Sequence, residues 1–165
     1  MIEYKQGEGW ILTGEDKIDL FQGEFTKEKI LHAPKYPSVD LSKYTTYYFD
    51  SQDGYDEFDG LTSLTAKKSI EEAERICSSL TPNDKVRLLF KKGCTFFGNF
   101  VVQKGEPSDE YPLILDSYGD GDGYPKFFGD DSVLKIMISN IRVYNLEVTG
   151  PTAYRGIHVL PAKKA

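Results

Sequence analysis

Residues 47–72 read YYFDSQDGYDEFDGLTSLTAKKSIEE, and three kinds of local structure meet within them. TTYYF (45–49) is a short β-branched and aromatic run, which favours a strand. DSQDGYDEFDG (50–60) then sets five acidic residues around two glycines, a composition that favours a loop. Ser69 and Glu72 have the S-x-x-E spacing of a capping box, in which hydroxyl and carboxylate satisfy backbone donors reciprocally. Ile70, Ala73, Ile76, Cys77 and Leu80 fall at helical spacing and predict one amphipathic helix over 69–80. Thr81-Pro82-Asn83-Asp84 ends it, because proline cannot continue the hydrogen-bond ladder.

Downstream of this helix every apolar run reads as a strand. KVRLLF (85–90), TFFGNFVV (95–102), PLILDSY (112–118), VLKIMIS (133–139), NIRVYNLEVTG (140–150) and RGIHVLP (155–161) follow one another without a further helical pattern. No Asn-Gly hairpin signal separates the later runs. Asn145 interrupts IRVYNLEV, and asparagine tolerates the left-handed conformation that bends a strand sharply. Short strands bent in this way and stacked in repeat suggest a parallel β-solenoid, with a β-sandwich as the competing architecture. Upstream, WILTGEDKIDLFQGEF reads as a hairpin-like or extended lead-in, and HAPKYPSVDLSKY, with Pro34 and Pro37, as an irregular connector.

Composition bounds the function. The chain has 165 residues, 39% hydrophobic and 13% aromatic, enough for one ordinary domain with a real core. Eleven Tyr and ten Phe suit strands and sugar-facing surfaces alike. The net charge of −6, with both signs mixed along the chain, argues against a nucleic-acid surface. No run of about 18 apolar residues exists, so no transmembrane helix is expected. MIEYKQGEGW has no basic-then-apolar pattern, which reads as cytoplasmic if taken literally and as extracellular if a signal has been removed. Two cysteines, Cys77 and Cys94, make no disulfide scaffold.

YYFDSQDGYDEFDGLTSLTAKKSIEEA followed by KVRLLFKKGCTFFGNFVV resembles the N-terminal region of right-handed parallel β-helix proteins of the pectate-lyase-like group. That group includes polysaccharide lyases, glycosidases and phage tailspikes. Asp50, Gly54, Asp56, Asp59 and Gly60 match its acidic loop, and Ser69-Ile70 its helix start. Gly93, Thr95, Phe96 and Gly98 match the turn of its first rung, with Cys94 where a polar residue is usual. YGDGDGYP and SNIRVYNLEVTG resemble a link and a later rung with a bend asparagine. The resemblance implies an all-β solenoid whose N-terminal portion carries one capping α-helix, with 1–43 an irregular lead-in and 44–165 the cap and first rungs. It implies a carbohydrate-active protein acting on polysaccharide, lyase or glycoside hydrolase, whose catalytic residues lie on later rungs. A non-catalytic glycan-binding or adhesion module and a purely structural cap are the alternatives. The implied partners are a polysaccharide or oligosaccharide, with self-association through an open solenoid end also expected.

Site signals within the chain are sparse. Asp50 and Asp116 each begin a stretch that fails the calcium-loop pattern: Tyr55 takes the glycine position of the first, and Tyr118 and Phe127 take ligand positions of the second. Sites of other geometry have no fixed spacing, so Asp53, Asp56 and Asp59 stay candidates for calcium beside the plainer reading as a solvated turn. GDGDGYP (119–125) lacks the phosphate-loop Lys and helix, and reads as a turn. No G-x-S-x-G elbow accompanies His32 or His158. His158 alternates with Ile157 and Val159, so it projects outward if they face the core. With Tyr154 and Arg155 it forms a candidate sugar-binding face, the ring for stacking and the guanidinium for a uronate, beside the plainer reading as solvent surface. No pair of carboxylates can be selected for glycoside hydrolysis from spacing alone.

Overall fold

Strand order follows from where the chain is forced to bend. In the computed structural model, residues 39–160 are described together with four strands upstream, β1 (Ile2–Lys5), β2 (Gly9–Leu12), β3 (Ile18–Leu20) and β4 (Gly23–Phe25). The chain divides into two compact units, Met1–Ser38 and Val39–Ala165. In the first, β1 pairs with β2 and β3 with β4, both antiparallel. The connector with Pro34 and Pro37, and His32, lie outside the described residues.

The second unit is mostly β, with parallel sheets and one α-helix. Its elements in chain order are β5 (Thr45–Phe49), α1 (Ile70–Ser78), β6 (Val86–Lys91), β7 (Thr95–Phe97), β8 (Phe100–Val102), β9 (Leu113–Tyr118), β10 (Lys126–Phe128), β11 (Ser132–Ile136), β12 (Ile141–Val143), β13 (Glu147–Thr149) and β14 (Arg155–Val159). Strands β6–β8, β9–β11 and β12–β14 form three successive triplets. Each triplet gives one strand to each of three parallel sheets, ordered β12-β9-β6-β5, β13-β10-β7 and β14-β11-β8. The helix is shorter than its sequence pattern, ending at Ser78 with Ser79 as its C-cap, although Leu80 beyond it is still buried. No helix among the described residues is long and apolar enough to cross a membrane.

The corners between sheets sit on residues that tolerate left-handed backbone. Asn145, with φ of 50°, splits IRVYNLEV into β12 and β13, so one apolar run serves two sheets. Asp131 and Asn140 do the same before β11 and β12. TFFGNFVV is likewise cut into β7 and β8 at Gly98, whose φ is 117°. Gly98, Gly129 and Gly150 each follow a strand of the middle sheet. A Cβ on Gly129 would collide with Asn99 and the Gly98 carbonyl, and one on Gly150 with the Gly129 carbonyl. At Gly129 and Gly150 the corners therefore stack too closely for any side chain.

Because parallel pairing in register keeps partners on the same face, core residues form columns. Leu88, Leu115 and Val143 make one; Phe96, Phe127 and Val148 another; Phe100, Leu134 and Ile157 a third; and Val102, Ile136 and Val159 a fourth. Phe90 joins them at the centre, with ring centroids 4.9 Å from Phe127, 5.1 Å from Phe49 and 5.3 Å from Phe96. Burying each such ring contributes roughly 1.5–3 kcal/mol, as does each of the aliphatic side chains in the columns.

Among the described residues one end of the columns is covered and the other is not. On the covered side β5 pairs with β6, the Ser51 hydroxyl donates to the Thr95 carbonyl of β7 at 2.8 Å, and the Val101 amide of β8 donates to Glu74 of α1 at 2.6 Å. The first strand of every sheet thus has its edge occupied. On the far side Ile157 and Val159 hold core positions yet are 53% and 66% exposed. Val143 and Val148 are only half-buried.

Candidate functional site

The acidic loop is built as a staple between β5 and α1. Asp50 ends the β5 run and is buried; its Oδ1 accepts the amides of Gln52 at 3.0 Å and Asp53 at 3.2 Å, and its Oδ2 takes the Lys91 ammonium at 2.6 Å. The Cys94 thiol donates to Oδ1 at 3.4 Å. Burial pushes the Asp50 carboxyl up, but Lys91, the two amides and the thiol outweigh it and hold the group below the usual carboxylate range. Gly54 passes so near the carbonyls of Asp50 and Lys67 that a Cβ there would collide with both.

At the helix start the expected capping box is only half formed. Ser69 Oγ accepts the Glu72 amide at 3.2 Å, but Glu72 does not return to the Ser69 amide. The Glu72 carboxylate instead takes two bonds from Arg75, at 2.9 and 2.7 Å, and pairs with buried Lys67 at 3.0 Å. The Arg75 bonds, opposed by burial and reinforced by Lys67, lower its carboxyl to about 2. Asp56 supplies the missing arm, its Oδ1 accepting the amides of Lys68 at 2.8 Å and Ser69 at 2.9 Å.

The three calcium candidates each have other partners. Asp56 holds the helix start, and Asp59 Oδ1 accepts the Leu61 amide at 2.9 Å and the Thr65 hydroxyl at 2.7 Å. Asp53 reaches Lys91 at 3.5 Å with its side chain in solvent. Among the described residues no group of three or more His, Cys, Asp or Glu side chains is arranged to hold a metal ion.

The sugar-face candidates are brought together in part. Tyr154 is 79% exposed, and the Arg155 guanidinium sits 4.9 Å from its ring centroid. His158, beside Lys135 in register, is half-buried, and its Nδ1 lies 3.3 Å from Ser132 Oγ. Ile157 and Val159 occupy the core columns on either side of it, but as exposed members of an edge strand.

Neither thiol suits nucleophilic chemistry. Burial pushes Cys77 up to about 12, and burial with the Asp50 charge raises Cys94.

A cleft of about 440 Å³ escaped the sequence candidates because three segments separated in sequence build it. Gln52 comes from the acidic loop, Lys68 and Glu71 from the helix start, and Thr95 and Phe97 from β7. The signal was the alternation in TFF: Phe96 faces the core, so Thr95 and Phe97 face out, and Phe97 is 75% exposed. Phe128, in register on β10, meets it edge-on with centroids 5.7 Å apart. Of the described residues lining the cleft, only Glu71 carries a carboxylate.

No family model matches this chain, and no curated protein does. Among solved structures the chain is similar to the GH136 lacto-N-biosidase from Eubacterium ramulus, at 19% identity and a TM-score of 0.51. The similarity covers 64% of this chain and 20% of that protein, so the chain spans about a fifth of its length. At that identity the likeness is one of fold.

Proposed function

We propose that residues 44–165 are the N-terminal cap and first coils of a right-handed parallel β-helix in a carbohydrate-active protein acting on polysaccharide, by elimination or by hydrolysis. The asymmetry of the stack carries this reading. Repeat architectures bury their apolar columns only against neighbours and need covered ends. Here β5, Ser51 and α1 cover one end, while Ile157 and Val159 carry the core columns into the open at the other. A further coil pairing with β12, β13 and β14 completes that arrangement, and reacting groups belong on such later coils. The similar solved structure is named a lacto-N-biosidase, which supports an oligosaccharide as the ligand class.

One observation favours a second reading, a non-catalytic glycan-binding module. Glycoside hydrolysis ordinarily uses two carboxylates flanking the scissile bond, and the cleft beside α1 has one. A panel of neutral and acidic polysaccharides, assayed for binding, for new reducing ends and for unsaturated uronates, separates the readings. New reducing ends without unsaturated uronates mark a hydrolase, reducing ends accompanied by unsaturated uronates a lyase, and binding without product the module. Absence of both binding and product, from this chain and from any longer native form of it, sinks the carbohydrate reading and leaves a structural cap.

A further inference from the structure

We propose that the cleft between the acidic loop, the start of α1 and β7 is a subsite for a neutral sugar, with Phe97 as its stacking platform; this rests on the carbohydrate reading above. Phe97 stands 75% exposed on a strand whose neighbour Phe96 is locked in the core, so a large apolar ring is held rigidly in water. Phe128 braces it from the next strand. An exposed ring on a rigid strand is suited to the apolar C–H face of a pyranose, since aromatic side chains bind flat apolar surfaces with little loss of conformational freedom.

The rest of the lining matches the hydroxyl rim of such a ligand. The Gln52 amide, the Thr95 hydroxyl and the Glu71 carboxylate line the cleft without a hydrogen-bond partner among the described residues. Together they offer both donors and acceptors, as a polyhydroxylated ligand requires. Charge then selects the class of sugar. Lys68 and Glu71 contribute one charge of each sign, and the Lys68 ammonium already donates to the Gln52 carbonyl at 3.3 Å. A uronate finds no bidentate guanidinium in this cleft, in contrast to the Arg155 surface.

The test is calorimetric titration of the whole chain with xylo-, cello- and chito-oligosaccharides, and with oligogalacturonate as the acidic arm. The variants are Phe97→Ala, Phe97→Trp, Gln52→Ala and Tyr154→Ala. Phe97 is exposed, so its replacement is expected to leave the melting transition in place. Binding of a neutral oligosaccharide that weakens about tenfold in Phe97→Ala, weakens in Gln52→Ala, survives in Phe97→Trp and ignores Tyr154→Ala supports the subsite. Binding unaffected by Phe97→Ala, or lost in Tyr154→Ala, overturns the subsite while leaving the carbohydrate reading intact. Binding of oligogalacturonate alone overturns the neutral class. No binding to any of these sugars overturns the subsite through the failure of the broader reading.

Discussion

The Asp56 carboxylate accepts the backbone amide of Ser69 at 2.9 Å, closing the acidic loop onto the N-cap of α1. The same oxygen takes the Lys68 amide, so one aspartate satisfies two donors at the point where loop becomes helix. Replacing it leaves both amides to water and removes the acceptor charge. Asp56→Ala is expected to lower the stability of the unit by about 1.5–3 kcal/mol in urea unfolding at neutral pH.

The same geometry bears on calcium. Asp56 and Asp59 are held by their own loop and helix start. The melting temperature is therefore expected to stay the same on adding calcium and then a chelator. A rise with calcium, reversed by the chelator, would show that Asp53, Asp56 and Asp59 gather around an ion.

Glu72 predicts an acid-labile cap. Its folded carboxyl lies at about 2 against an ordinary 4.5, so the group binds fewer protons folded than unfolded. The stabilisation it contributes is full above pH 4.5 and is lost as pH falls towards about 2. Asp50, held below the usual range by Lys91 and its loop amides despite burial, adds to the loss in the same direction. Urea midpoints measured across that window are expected to fall, and Glu72→Gln is expected to show a shallower slope.

Phe127 lies fully buried between Phe90, Phe96 and Phe100. Phe127→Ala removes the ring shared by three others and is expected to cost about 3–5 kcal/mol, read by chemical denaturation. Phe128→Ala, one residue on but facing outward, is expected to change stability far less.

The stacked corners give a complementary test. Gly129→Ala places a methyl against the Asn99 side-chain oxygen and the Gly98 carbonyl, and the carbonyl is backbone that yields only by a shift of the neighbouring strand. It is expected to destabilise by about 1–3 kcal/mol. Gly123, with nothing near its Cβ position, serves as the control for lost glycine freedom, although its φ of 76° carries some strain of its own.

Much of this was legible along the chain, and the failures have identifiable causes. The helix could be read from Ser69 and its apolar stripe, and the bend at Asn145 from one residue type, because both depend on neighbours a few positions away. Strand β10 was not legible: Lys126–Phe128 is three residues long, follows a turn-rich GDGDGYP, and shows no alternation of its own. Its central Phe127 is nonetheless at the heart of the core. The glycines closing TFFG, KFFG and EVTG are visible as letters, but their stacking has meaning only once β7, β10 and β13 lie side by side.

Local residue chemistry sets the short elements: a strand, an acidic loop, one capped helix and a train of short β runs. Each is set by propensity, periodicity and turn chemistry acting over a few residues. Which carboxylates meet which partners is set by the folded chain. Glu72 pairs with Lys67 and Arg75 and leaves Ser69 to Asp56, while Asp50 meets Lys91 and Cys94 from forty residues away. The fold also decides that Gln52 and Phe97 share one cleft. The Asp50 and Phe97 meetings depend on parallel register between distant strands, a relation that local sequence pattern does not encode, whereas Glu72 and Arg75 meet within one turn of helix.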